Sequence, residues 1–223
     1  MLPPIPTSIQ RIVIFDFDGV ITDTMAEMLR FSDQVCTELS YPRKTSPEDI
    51  LALPRMGFDH LARQLGIAEP LVPKYVQLML QRFVDSPITY AMVEGMEEVI
   101  RDLAVDSLLA VVSGNMKEVI QRFLRKYQLD AYFWQIMGID QPGNKVEKII
   151  QIRQEVSPSL PAFMIGDAVS DIQAAKEAGA ISIAVTWGHQ ARQKLIQAHP
   201  QYLVEKPLDL IATIRAHSSS RTT

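Results

Sequence analysis

The most constraining stretch of the sequence is Ile12-Val13-Ile14-Phe15-Asp16-Phe17-Asp18-Gly19-Val20. Four apolar residues run without a break into two carboxylates and a glycine. A short apolar run rich in β-branched residues is the pattern of a strand buried on both faces, as in a parallel sheet covered by helices. In open α/β sheets, ligands bind beyond the carboxyl ends of the strands. Asp16 and Asp18 are therefore expected at the mouth of a site. Two acids this close repel each other unless a cation or a proton separates them. Gly19 lets the backbone turn or approach a ligand closely. A strand end followed by a polar turn would carry the same residues, so the rest of the chain has to decide.

After this strand the texture is helical. Thr22-Asp23-Thr24 offers N-cap chemistry, and Met25 to Leu39 carries apolar residues at helical spacing. Ser46-Pro47-Glu48-Asp49 predicts a second helix, with proline at its first position and an acid three residues after the cap. Phe58 to Leu65, closed by Gly66, and Pro73 to Val84 predict two more. Nothing from residue 23 to about 88 reads as a strand. Beyond Pro87, strands and helices alternate. Strands are predicted at Leu108–Val112, Trp134–Met137, Ala162–Ile165, Ile181–Val185 and Tyr202–Val204, with helices between them. That alternation implies a doubly wound parallel sheet of the α/β class. The all-helical block reads as an insertion at the carboxyl edge of the sheet. The Pro-rich start (1–10) reads as a surface lead-in, and the polar tail Ser218 to Thr223 as frayed.

Composition narrows the partners. With 223 residues, 47% of them hydrophobic, the chain can bury a full core. Its net charge is −4 and it has no basic run, so nothing points to nucleic acid or an anionic membrane. The single cysteine, Cys36, excludes an internal disulfide and reads as a buried filler. No stretch is long enough to span a bilayer, and the first residues lack a signal-peptide pattern. A cytoplasmic protein, monomeric or homodimeric, is the expectation.

Polar groups recur at the predicted strand ends: Asp16 and Asp18; Ser113, Gly114 and Asn115; Asp167 and, one turn on, Asp171. Lys145 stands at the start of a helix. Parallel strands point these ends the same way, and each group has a task if the ligand is a phosphate monoester. Mg²⁺ prefers oxygen ligands and shares itself between a few carboxylates and a substrate phosphate. Asp16, Asp167 and the backbone carbonyl of Asp18 can supply that shell. Ser113, with the amides of Gly114 and Asn115 at a helix N-terminus, suits an anion, and Lys145 adds a cationic contact. Asp16 can attack phosphorus. Asp18, two residues on, can protonate the leaving alcohol and later deprotonate water. Asp171 can touch the metal through water, bond Lys145, or cap its helix. Arg55 and His60 in the helical block can read the leaving group, or form a solvated face.

These residues resemble a known family. Asp16-Phe17-Asp18-Gly19-Val20, Ser113, Lys145 and Gly166-Asp167-Ala168-Val169-Ser170-Asp171 look like the four motifs of the haloacid dehalogenase superfamily, in order and spacing. The block after the first motif resembles that superfamily's helical cap. Ala174 to Gly179 and Val185-Thr186-Trp187-Gly188 are similar to phosphoglycolate phosphatase-like members. The resemblance implies a Rossmann-like core (1–21 and 90–223) of strand order 5-4-1-2-3 and a helical cap (22–89). It also implies Mg²⁺-dependent hydrolysis of a small phosphate ester, with 2-phosphoglycolate the leading candidate. A phosphosugar mutase and a non-catalytic binding member are the alternatives. Val146 after Lys145, and Glu94-Gly95, depart from the usual pattern without removing a catalytic group. The superfamily's dehalogenases do not keep the second acid of the first motif, so Asp18 argues for phosphorus chemistry.

Other motifs fail on spacing. Gly138 to Lys145 imitates a nucleotide P-loop, but the lysine is one place late and no Ser or Thr follows. Ser113 lacks the frame of a serine hydrolase. The four histidines show no metal-ligand spacing.

Overall fold

The computed structural model describes residues 9–41 and 43–219. Pro42 and most of the lead-in and tail considered above lie outside the described residues. Six strands form one sheet: β1 (Arg11–Phe15), β2 (Ser107–Val112), β3 (Phe133–Met137), β4 (Ala162–Gly166), β5 (Ile181–Val185) and β6 (Tyr202–Val204). Their order is β3-β2-β1-β4-β5-β6, and every pairing is parallel. Read from the opposite edge this is the expected 5-4-1-2-3, with β6 added outside β5. β1 lies at the centre, pairing Ile14 with Ala110 on one side and Met164 on the other.

The apolar run of β1 is divided between two cores. Side chains alternate across a strand. Val13 and Phe15 therefore join one apolar cluster, while Ile12 and Ile14 join another on the opposite face. All five β1 residues are buried. Helices cover both faces: α5 (Met96–Leu103), α6 (Lys117–Lys126), α7 (Lys145–Val156), α8 (Val169–Glu177), α9 (Arg192–Gln197) and α10 (Asp209–Ser219).

The predicted helical block is present as α1 (Met25–Glu38), α2 (Pro47–Leu51), α3 (Phe58–Gln64) and α4 (Val72–Asp85). Ser46 and Asp49 form the expected capping box. Thr24 precedes α1, but its side chain makes no cap. Its hydroxyl donates to Asp18 instead, while Asp23 accepts the Met25 N–H. The chain leaves and rejoins the sheet layer at one place. There Thr22 bridges Met92, the Asp23 N–H donates to the Ala91 carbonyl and the Val93 N–H to the Ile21 carbonyl.

Aromatic rings bind this block to the sheet layer. Phe31 meets Phe83, Phe83 meets Tyr90, Tyr90 stacks on Phe123, and Phe123 meets Phe17. Arg122 then donates to the carbonyls of Phe83, Val84 and Ser86 at 2.7–3.0 Å. These are groups the end of a helix leaves unpaired. Among the described residues, no helix is long and apolar enough to cross a membrane.

Phe123 joins the two layers and is fully buried. Phe123→Ala should destabilise the fold by about 3–5 kcal/mol, read as a fall in the urea midpoint. A midpoint unchanged from the parent would contradict this packing.

Candidate active site

The strand ends converge as the topology requires. Asp16 follows β1, and its N–H donates to the Ile165 carbonyl of β4 at 2.8 Å. Its Oδ1 accepts the Phe17 N–H at 2.8 Å, and its Oδ2 lies 3.1 Å from Lys145 Nζ. Asp167 follows β4 and is 2% exposed; its Oδ2 accepts the His189 N–H at 2.6 Å. Oxygens of Asp16, Asp167 and Asp171 lie within 4.8 Å of one another. Two glycines make room for them. At Gly19, with φ +78°, a Cβ would stand 2.0 Å from Asp167 Oδ2. At Gly188 it would stand 2.2 Å from the Asp167 Cβ.

Asp18 is held apart from this group. Its Oδ1 accepts from the Thr24 hydroxyl at 2.9 Å, and Asn115 Nδ2 reaches both carboxylate oxygens at 3.1–3.2 Å. Burial, and next the Asp16 charge, raise the Asp18 carboxyl above its ordinary value, against the opposing pull of His189, Thr24 and Asn115. That favours a carboxyl able to carry a proton.

Lys145 opens α7, where Asn144 and Glu147 form a capping box. Its ammonium reaches Asp171 Oδ1 at 2.5 Å as well as Asp16. Burial opposes its charge, but the two carboxylates prevail and raise its pKa. Asp171 also accepts the Ala168 N–H through Oδ2. It therefore realises two of the three roles open to it from sequence. Burial raises its carboxyl to about 7, and the Lys145 ammonium opposes the rise.

α6 begins at Lys117, so the Ser113 loop sits immediately before a helix N-terminus, as expected. The Asn115 N–H donates to Ser113 Oγ at 3.1 Å, and the Lys117 N–H to Asp140. The side chain of Asn115 serves the Asp18 carboxylate.

Asp16, Asp18, Ser113, Gly114, Asn115, Lys145 and Asp167 line one cavity of about 560 Å³. Arg55 lines it too, from the helical block. His60 is not among the lining residues and stands 3.9 Å from Asp59. Sequence reasoning missed His189, which lines the cavity, is buried, and leaves Nε2 without a partner. The rule that placed the other groups would have found it, since it follows β5 at the same rim. It also missed Gln190. Its Oε1 accepts the Val169 N–H while its Nε2 donates to the Leu53 carbonyl of the helical block.

The donor set fits a hard divalent cation. Buried carboxylate oxygens from separate strands face each other, and burial together with Asp16 pushes the Asp167 carboxyl up to about 7. A cation would relieve that repulsion, and oxygen-only donors suit Mg²⁺.

A family model described as haloacid dehalogenase-like hydrolase matches residues 13–185. Phosphoglycolate phosphatase of Synechococcus elongatus is 25% identical, over 91% of this chain and 96% of its own length. Pyrophosphatase PpaX of Listeria welshimeri is 29% identical, over 91% and 95%. Among solved structures, a haloacid dehalogenase-like family hydrolase from Streptococcus pneumoniae matches with a TM-score of 0.80. It covers 94% of this chain and 100% of that one at 21% identity, a likeness of fold.

The Asp167 shift has a stability consequence in metal-free protein. An unfolded carboxyl titrates near about 3.9. Between there and about 7 the folded state binds the extra proton, so stability falls as pH rises through that window. At about 1.4 kcal/mol per unit the effect is on the order of a few kcal/mol. Urea midpoints in EDTA should therefore fall more steeply from pH 5 to pH 7.5 in the parent than in Asp167→Asn. Equal slopes would contradict the assignment.

Proposed function

The chain belongs to the haloacid dehalogenase-like hydrolase family, and from that premise we propose that it is a Mg²⁺-dependent phosphatase of small phosphate esters working through an aspartyl-phosphate on Asp16. One observation carries the reading. A carboxylate at the central strand end lies 3.1 Å from a lysine ammonium, beside two further acids, with a fourth carboxyl of raised pKa two residues on.

The roles follow from position. Ser113, Gly114 and Lys145 bind and orient the phosphoryl group. An Asp16 oxygen attacks phosphorus as the ester P–O bond breaks, and Asp18 gives its proton to the departing alkoxide. Asp18, now a carboxylate, takes a proton from water. That water attacks phosphorus, releases inorganic phosphate and restores Asp16. Thr24 and Asn115 hold Asp18 in place for both transfers. Mg²⁺, held by Asp16, Asp167 and the Asp18 carbonyl, would supply positive charge to the phosphoryl oxygens. Asp171 keeps Lys145 charged and aimed.

Residues 1–21 and 90–223 form the catalytic core in this reading, and 22–89 a cap that excludes water from the reaction. The names of the relatives supply two reference substrates, 2-phosphoglycolate and pyrophosphate. A cytoplasmic enzyme, monomeric or homodimeric, is part of the same proposal.

Free phosphate released from 2-phosphoglycolate and p-nitrophenyl phosphate is the readout. Asp16→Asn should fold normally yet lose on the order of 10³-fold or more in kcat. Asp18→Asn should lose about 10²–10⁴-fold, and EDTA should abolish turnover until Mg²⁺ is restored. Near-normal rates in Asp16→Asn would exclude it as nucleophile.

A further inference from the structure

We infer that the cavity accepts the phosphate ester of a bulky, uncharged, apolar alcohol, with the phosphoryl group at Asp16 and the alcohol against the helical block. This deepens the phosphatase reading and depends on it. A volume of about 560 Å³ lies in the range of small-molecule sites. A two-carbon ester such as 2-phosphoglycolate would leave most of it empty.

The chemistry of the wall selects among larger molecules. The strand-end residues are polar, but the helical block contributes Leu53, Met56, Phe58 and Val76. Leu53 is buried, whereas Met56, Phe58 and Val76 are only half-buried. Ile139, across from them in sequence and on the same cavity, is 47% exposed. Apolar surface left open beside a catalytic centre is recovered when a substrate covers it.

The charges agree. Among the described lining residues, Arg55 is the cation outside the catalytic group, and Asp59 and Glu177 are acids there. Lys145 is committed to Asp16 and Asp171. Arg55 is exposed, so its attraction for a second anionic group is screened by water. The carboxylate of 2-phosphoglycolate and the second phosphate of pyrophosphate thus find no desolvated cation, whereas a neutral apolar group meets a matching surface.

Ethyl, hexyl and 2-phenylethyl phosphate all leave as primary alcohols of similar acidity, so their rates compare binding rather than chemistry. With the intact protein and Mg²⁺, kcat/KM should rise about fourfold per methylene that reaches the wall. Hexyl phosphate should then exceed 2-phosphoglycolate by about tenfold or more. Met56→Gln should flatten the series, bringing hexyl phosphate kcat/KM down toward that of ethyl phosphate. In parallel, calorimetry should show hexylphosphonate binding more tightly than ethylphosphonate, by the same fold per methylene. A flat series with turnover intact, or 2-phosphoglycolate preferred, overturns this inference and leaves the phosphatase reading standing. Tighter hexylphosphonate binding with no phosphate released from any ester does the reverse. A slope unchanged in Met56→Gln overturns the assignment of the wall.

Discussion

The structure depends on the crowding of acids around one ammonium. Asp16, Asp167 and Asp171 are gathered around the Lys145 ammonium, with the buried Asp18 carboxyl two residues beyond Asp16. In a medium of low effective dielectric, such repulsion is far stronger than in water. Each neighbouring feature reduces it. Backbone amides of Phe17, Ala168 and His189 donate to the carboxylates, and Thr24 and Asn115 bind Asp18. Gly19 and Gly188 bring backbone against Asp167 where a side chain would displace it. What remains uncompensated is the part a divalent cation and a phosphoryl group would share.

The helical block is positioned by contacts that reach into this site. Gln190 links the N-terminus of α8, beside Asp167, to the Leu53 carbonyl. Lys194 donates to the carbonyls of Leu51 and Leu53 at 2.7 and 3.0 Å. On the other side, Arg122 holds the end of α4. The apolar wall is therefore fixed relative to Asp16 from two directions, one through the loop after β5 and one through α6.

Much of this was legible in the sequence because local patterns and global topology agree. Uninterrupted apolar runs gave the central strands, and the end of each run gave a polar group on a common rim. The capping box at Ser46 and Asp49 set the start of α2 before any contact was known. What the sequence hid were competitions decided by distant partners. Thr24 reads as a helix cap, but Asp18 claims its hydroxyl.

The central claim is that Asp16 forms a covalent bond to phosphorus. It is tested most directly by acid-quenching the enzyme during turnover, reducing with borohydride, and mapping the product by mass spectrometry. An acyl-phosphate at Asp16 would appear as homoserine at that position, dependent on both substrate and Mg²⁺. Modification at another carboxylate, or none during active turnover, would contradict the account.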